Sequence, residues 1–520
     1  MGTQDGRLPT IQPIIKFPFE KLERRRLRMQ ASLDMSKSLE DRRLLGQFAT
    51  PTSLAREIVT FGLSLLPEDE KIVFLDPALG TGSFYSALLR EAHDRIEKAD
   101  GYEVDPHYGS PASNLWSGTS LHVHLADFLE TVPTDGEVNL LICNPPYVRH
   151  HLLNSDYKFQ IQKDLEERTG VHMSGLSGLY CYFLLASIQW MRDGGVGGWL
   201  IPSEFMDVNY GKELKRFLLQ DVTLLRIHRF EPNDVQFDDA LVSSVVLWLK
   251  KEKPPENHTV EFCYGGSLSN PQICSFLPAD VLAGEDKWTR FPTKGERRES
   301  DGGTILSDYF KIKRGIATGS NGFFILSKEQ IDEYGLPMEC FRPVLPSSRF
   351  VSQNEILADR WGNPLLTPQL FLLDCRLPEE EIVRKHPRLW EYLESGREKV
   401  SSGYLCRSRK KWYYQEIRES SPFLCTYMGR SKTRRPIRFL FNHSKAVPTN
   451  SYMILYPHAE LVDQMLAHPE LIRKTWQVLC NIDIESILGE GRVYGGGLHK
   501  IEPRELEKVP VDSLKNLFIG

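Results

Sequence analysis

The 520-residue chain has no apolar run approaching roughly 18 residues, which argues against a membrane-spanning helix. Its opening, MGTQDGRLPT, lacks the apolar core of a signal peptide. The nine cysteines never form a CxxC pair, so a zinc ribbon has no ligand spacing. An odd number of scattered cysteines suits a reducing cytosol and speaks against disulfides, which places the expected location in the cytoplasm. There is no internal repeat and no low-complexity tract. What remains, at 41% hydrophobic and 26% charged, is a globular composition, long enough for two or three domains.

The net charge of −5 hides an asymmetry. Residues 401–450 hold 11 Lys and Arg against Glu416 and Glu419, so this stretch is +9 within an acidic protein. Trp412, Tyr413, Tyr414 and Tyr427 stand among those cations. The pattern fits a polyanion-binding surface, and equally a solvated surface around core aromatics. Candidate phosphate or base contacts are Arg407, Arg409, Lys410, Lys411, Arg430, Lys432, Arg434, Arg435 and Arg438.

From Lys71 to about Lys251, short apolar runs alternate with helical patterns, as in a parallel α/β sheet. Strands are expected at 71–76, 101–105, 122–127, 139–144, 196–202, 224–230 and 244–251, and helices at 82–99, 178–192 and 210–220. The last strand follows its predecessor with no room for a helix, so it should pair antiparallel. Residues 1–45 are expected to form a helical arm, 46–255 the α/β domain, 256–300 a linker or connecting segment, part of it able to pack on the α/β domain, and 301–520 a mixed α+β domain. Residues 148–178, polar and without a clear core pattern, are expected to be a mobile lid.

In FLDPALGTGSF (74–84), a strand meets Asp76 and the turn Gly80-Thr81-Gly82 before a helix starts, a place where backbone approaches a ligand closely. The third small residue of a dinucleotide loop is absent, which disfavours a pyrophosphate and leaves room for a nucleoside. Glu103 ends the next strand, where a carboxylate can accept two ribose hydroxyls; Asp127, with Phe128 beside it, ends the third. The fourth strand end reads Asn144-Pro145-Pro146-Tyr147. Asn144 offers an amide oxygen and Pro145 a carbonyl without an N–H, two acceptors that suit an –NH2 group. Tyr147 offers a face for a flat ring.

DPALGTGSF followed by NPPY resembles the S-adenosylmethionine-dependent amino-methyltransferases that modify adenine N6 in DNA. GQFATP (46–51), upstream of both, resembles the methionine-binding motif of the γ class found in type II restriction-modification systems. The resemblance implies a Rossmann-like seven-stranded sheet with an antiparallel last strand, followed by a C-terminal target recognition domain. It implies that Thr50 and Pro51 cap the methionine moiety and that Asp76, Gly80 and Gly82 form the cofactor loop. It further implies that Glu103 holds the ribose, and that Asp127, Phe128 and Phe183 hold the adenine of S-adenosyl-L-methionine. Tyr147 and Tyr210 would pack on a flipped target base. Phe183 and Tyr210 fit an ordinary helix-face core equally well. The partners implied are double-stranded DNA and a separately acting cognate endonuclease, with the protein itself a monomer and no metal. A release-factor glutamine methyltransferase, an RNA adenine methyltransferase and a catalytically inactive nucleic-acid-binding subunit are the competing readings.

Overall fold

The structure is a computed structural model that describes residues 19–133, 136–232, 234, 236, 243–292, 303–430, 435–494 and 496–518. The chain divides into two compact units, Met1–Gly295 and Glu296–Gly520.

The first unit is built on a nine-stranded sheet. Its strands are β1 (Ile72–Asp76), β2 (Ile96–Tyr102), β3 (Leu121–His124), β4 (Val138–Cys143), β5 (Met191–Pro202), β6 (Thr223–Arg229), β7 (Ser244–Lys250), β8 (Thr259–Gly266) and β9 (Pro271–Pro278). They lie in the order β3-β2-β1-β4-β5-β7-β6-β8-β9. The first seven reproduce the expected methyltransferase sheet, with β7 antiparallel to both β5 and β6. Helices α1 (Phe19–Ser36), α2 (Leu39–Leu44), α3 (Thr52–Ser64), α4 (Ser83–Ala92) and α5 (Pro106–Trp116) precede β3, and α6 (Ser155–Thr169), α7 (Leu179–Ile188) and α8 (Lys212–Gln220) come later.

Strand side chains alternate between two cores, as the two-residue period requires. Phe74 of β1 and Leu140 and Ile142 of β4 pack with Leu54, Ile58 and Leu88 of α3 and α4. Leu75, Leu141 and Cys143 face the other way, against Ile161, Leu184 and Leu218 of α6, α7 and α8. The sheet is therefore covered on both sides, and the first four strands end side by side along one edge.

Four expectations need correction. Residues 256–300 are not simply a linker, because β8 and β9 extend the sheet: β8 pairs parallel with β6 and β9 antiparallel with β8. The helix expected over 82–99 stops at Ala92, and β2 begins at Ile96. The segment 148–178, expected to have no clear core pattern, contains a helix with one. Asn154 caps α6 by accepting from Asp156 and Tyr157 N–H, Gly170 ends it in the left-handed region, and Ile161 and Leu165 are buried. Finally, Cys263 and Cys274, 11 residues apart, are set opposite each other by the β8–β9 register and form a disulfide with Cα atoms 4.1 Å apart. No spacing rule on a scattered set of cysteines finds a pair made by strand register.

The second unit holds β10 (Phe310–Arg314), β11 (Ile325–Ser327), β12 (Phe341–Leu345), β13 (Glu355–Ile356), β14 (Leu370–Leu373), β15 (Phe423–Thr426), β16 (Met428–Arg430), β17 (Phe439–Asn442), β18 (Val447–Pro448), β19 (Tyr452–Pro457), β20 (Arg492–Tyr494) and β21 (Leu498–Lys500). They form sheets in the orders β10-β19-β15-β17-β13, β11-β14-β12-β18 and β16-β21-β20, interspersed with short helices. This is the mixed α+β domain expected. Among the described residues, no helix is long and apolar enough to cross a membrane.

Candidate active site

Because β3, β2, β1 and β4 are consecutive neighbours, their C-terminal ends set Asp127, Glu103, Asp76 and Asn144 along one sheet edge. This is the edge at which open α/β sheets bind ligands. A cleft of about 590 Å³ opens there, a size usual for a small-molecule site. It is lined by Thr50, Asp76, Gly80, Glu103, Asp127, Phe128, Asn144, Pro146 and Phe183 among others. Pro51, Gly82, Pro145, Tyr147 and Tyr210 do not line it.

Asp76 is 1% exposed and its Oδ1 accepts from Ala78 N–H at 3.1 Å, while Oδ2 has no partner within the protein. Burial pushes its carboxyl up to about 8; the Ala78 N–H opposes that rise and the Glu103 charge adds to it. Glu103 accepts Gly80 N–H at 2.9 Å on Oε2 and Asp105 N–H at 2.8 Å on Oε1, and burial raises its carboxyl too. Each of its oxygens keeps a further lone pair for a hydroxyl. Asp127 accepts Leu129 N–H at 2.9 Å and the Tyr157 hydroxyl from α6. Burial and that bond to a carboxylate push the Tyr157 hydroxyl well above its ordinary value.

The two glycines of the loop act differently. Gly80 has φ +56° and a Cβ there would meet no atom within 4 Å, so its backbone is bare toward the cleft. Gly82 has φ +86°, and a Cβ there would lie 2.6 Å from Trp116 Nε1, which itself donates to Thr81 O at 3.0 Å. Gly82 is thus required by packing behind the loop. Phe128 and Phe183 stack at 5.8 Å between centroids, an apolar wall beside Asp127.

Asn144 Nδ2 donates to Phe48 O at 3.2 Å and Thr50 Oγ1 at 3.0 Å. Its amide orientation is therefore fixed by the FATP segment, and Oδ1 is left as an acceptor. Gly46, at φ +65°, packs so tightly on the NPPY backbone that a Cβ would lie 2.4 Å from Tyr147 N. Tyr147 is half-buried, its hydroxyl donating to Leu200 O at 3.0 Å. Tyr210 is half-buried, with its hydroxyl 3.3 Å from that of Tyr180.

Two family models match the chain: one described as the Eco57I restriction-modification methylase, over residues 91–236, and one as the type II methyltransferase M.Eco57I, C-terminal domain, over residues 295–518. Over these two stretches the chain is similar to Eco57I-like type II restriction-modification methylases. It is 26% identical over 491 residues to the type II methyltransferase M.XamI of Xanthomonas campestris pv. amaranthicola, covering 91% of this chain and 86% of that one. It is also 26% identical to the type II methyltransferase M.AccI of Acinetobacter calcoaceticus, covering 91% and 87%. In fold it resembles the type IIL restriction-modification enzyme MmeI solved in complex with DNA, with a TM-score of 0.51 at 13% identity. It resembles the DrdV–DNA complex to the same degree, with a TM-score of 0.51 at 11% identity. It spans 63% and 56% of those two larger chains.

The first helices contribute what the motifs alone do not show. Arg26 of α1, 2% exposed, forms a two-pronged pair with Glu23 and donates to Ser83 Oγ at 3.0 Å and Thr52 Oγ1 at 3.1 Å. That one guanidinium ties the glycine loop and the start of α4 to the start of α3, directly after the FATP segment. Gln30, Asp34 and Lys37 line the cleft, with Lys37 paired to Asp105 at 2.6 Å and Gln47 bonded to the same carboxylate at 2.8 Å. The i, i+3 and i, i+4 spacing from Glu23 to Asp34 puts these polar groups on one helix face, a signal masked by the charged composition of α1.

The basic stretch of the second unit also reads differently. Arg409 donates to Ala317 O at 2.9 Å and Thr318 O at 2.8 Å, and Arg438 to Val351 O at 2.6 Å and Ser352 O at 2.8 Å. Their donors satisfy main-chain carbonyls and are not free for phosphates. Lys411 pairs with Glu379 at 3.6 Å and Arg435 donates to Cys480 O. Arg407, Lys410 and Arg430 are exposed, whereas Lys432 and Arg434 lie outside the described residues.

Proposed function

We propose that this protein is a site-specific DNA methyltransferase that moves a methyl group from S-adenosyl-L-methionine to N6 of an adenine flipped out of duplex DNA. Its product would protect DNA from a cognate restriction endonuclease acting separately, with the protein working as a monomer. The observation that carries this reading is the fixed Asn144 amide lining an acidic, phosphate-averse cleft.

The cleft fits the cofactor. Among the described residues, Asp34, Asp76, Glu103, Asp105 and Asp127 line it against one cation, Lys37, which favours a cationic, amine-bearing ligand and disfavours phosphates. The unpartnered Asp76 Oδ2 would take a positive group, Glu103 the ribose hydroxyls, Asp127 the adenine amino group, and Phe128 and Phe183 the ring. When bound, the cofactor supplies an electrophilic methyl on sulfonium.

The chain's own task is to make an aromatic amine nucleophilic. The N6 lone pair is delocalised into the ring. Two acceptors, Asn144 Oδ1 and the Pro145 carbonyl, would draw its hydrogens out of plane and return the pair to nitrogen. The prolines supply the stiffness: Pro145 and Pro146 carry no N–H and fix φ, so those acceptors hold their positions. Catalysis here is positioning and preorganised polarity, so no histidine general base is needed. Extruding the base costs roughly a few kcal/mol, recovered by stacking. We assign that stacking to Tyr147 and Tyr210, which would turn toward the base once it enters.

The test is transfer of tritiated methyl from the cofactor to duplex DNA, RNA and protein in parallel, followed by nucleoside analysis. N6-methyladenine in DNA is expected. Label confined to protein or to RNA would refute the reading.

A further inference from the structure

The second unit carries a small hairpin whose chemistry the basic-stretch reading overlooked. Residues 357–366 turn back on themselves: Leu365 N–H donates to Leu357 O at 2.8 Å, Ala358 bridges Pro364, and Asp359 N–H donates to Asn363 O at 2.9 Å. The Asp359 carboxylate locks the tip, accepting from Trp361 N–H at 2.9 Å, Asn363 N–H at 2.8 Å and Asn363 Nδ2 at 3.0 Å. Those bonds hold its carboxyl below the usual value against the opposing effect of desolvation. Gly362, at φ +90°, rests on Lys445, whose main-chain N–H donates to Gly362 O at 2.8 Å.

This preorganised tip holds Trp361 63% exposed, with the Arg360 guanidinium 3.9 Å above its ring. Among the described residues no carboxylate pairs with Arg360. A second pair of the same kind, Arg349 over Phe350 at 4.5 Å, precedes β13 as the hairpin follows it, so both flank the edge strand of the five-stranded sheet. Arg409 and Arg438 have their donors consumed inside the fold; Arg360 does not. An exposed tryptophan under a free guanidinium, with Lys445 also exposed beside it, is complementary to a polyanion that offers flat surfaces. The one carboxylate at the tip is tied to its own loop.

We propose that the Arg360–Trp361 tip is a duplex-DNA contact of the second unit, with Arg360 on a phosphate or base edge and Trp361 against the sugar and base edges of a groove. This rests on the DNA reading above. Arginine stacked on an aromatic plane is a stiffer donor than lysine, and base–aromatic contact adds to it.

The experiment compares wild type, Arg360→Ala, Trp361→Ala, Arg360→Lys and Arg360→Glu in tritiated-methyl transfer to unmethylated genomic DNA. Each alanine variant is expected to raise the KM for DNA about tenfold, leaving kcat within twofold and cofactor affinity and Tm unchanged. Arg360→Ala should also make the slope of log Kd against log salt shallower by about one. Arg360→Lys should keep the salt slope while recovering only part of KM, and Arg360→Glu should be the weakest binder. If wild type labels DNA and all variants match its KM within twofold, the tip proposal is overturned and the DNA reading stands. If wild type labels no DNA, both fall.

Discussion

Asp76 offers the sharpest quantitative test, because its environment sets the sign and size of a pH effect. Its carboxyl moves from 3.8 to about 8 on folding, chiefly through burial. A raised acid pKa means that the folded protein holds a proton the unfolded chain has released. Stability from this residue is therefore complete below pH 3.8 and is lost progressively as pH rises to about 8. At about 1.36 kcal/mol per unit, the loss between pH 5.5 and pH 8 is roughly 3 kcal/mol. In Asp76→Asn the group does not titrate, so subtracting its pH dependence from that of wild type removes the ionisable groups that are not coupled to Asp76, leaving Asp76 with a smaller contribution from its neighbour Glu103. Urea denaturation of ligand-free protein at pH 5.5 and 8.5 should show wild type losing about 3 kcal/mol more than the variant. Cofactor affinity of wild type should rise over the same interval, since a cationic ligand prefers the ionised carboxylate and its uptake releases the proton. Parallel stability profiles for the two proteins would refute the reasoning, as would a cofactor affinity that falls with pH.

Asn144→Ala should abolish methyl transfer while leaving cofactor affinity within a few-fold, measured by single-turnover kinetics and calorimetry. Its lost bonds to Phe48 O and Thr50 Oγ1 should cost about 1–2 kcal/mol of stability. Arg26→Met leaves Glu23 unpaired in the interior and should cost about 3–5 kcal/mol, while Glu23→Leu combined with Arg26→Met should recover much of that in urea denaturation. Gly82→Ala should cost on the order of 3 kcal/mol, from a strained backbone and the Trp116 contact. Gly80→Ala should cost about 1–2 kcal/mol of stability but far more in cofactor affinity, because its methyl would enter the cleft. Equal effects of the two alanines on affinity would contradict the division of roles between these glycines.

The sequence made six of the seven central strands legible as short apolar runs, whereas most of β2 (Ile96–Tyr102), carrying Glu97, Lys98 and Asp100, has the charged composition of a helix end. Asp76, Glu103, Asp127 and Asn144 could be read from their places at strand ends, and the structure puts all four on one cleft. The helix α6 was missed although its signals were present, Asn154 before it, Gly170 after it, and Ile161 and Leu165 four apart. Its high charge hid a narrow apolar stripe. Strands β8 and β9 were missed because Pro254-Pro255 and the charges around them look like a chain break, yet they precede a strand that finds the free edge of β6.

The basic stretch failed for a different reason. Composition counts a guanidinium without saying what its five donors meet. Arg409 and Arg438 close irregular loops whose carbonyls have no strand or helix partner, a demand made by backbone path and invisible in a charge count. Loop-rich domains need many such donors, so an arginine-dense stretch there is weak evidence for a nucleic-acid face. The informative arginine is one whose loop is already satisfied by other groups. Asp359 performs that service for the 357–366 tip, which is why Arg360, outside the densest charge run, has donors to spare. The same reasoning gives the first unit its order of dependence. Arg26 is spent on holding Ser83 and Thr52, so that Gly80 can present bare backbone and Thr50 can orient Asn144.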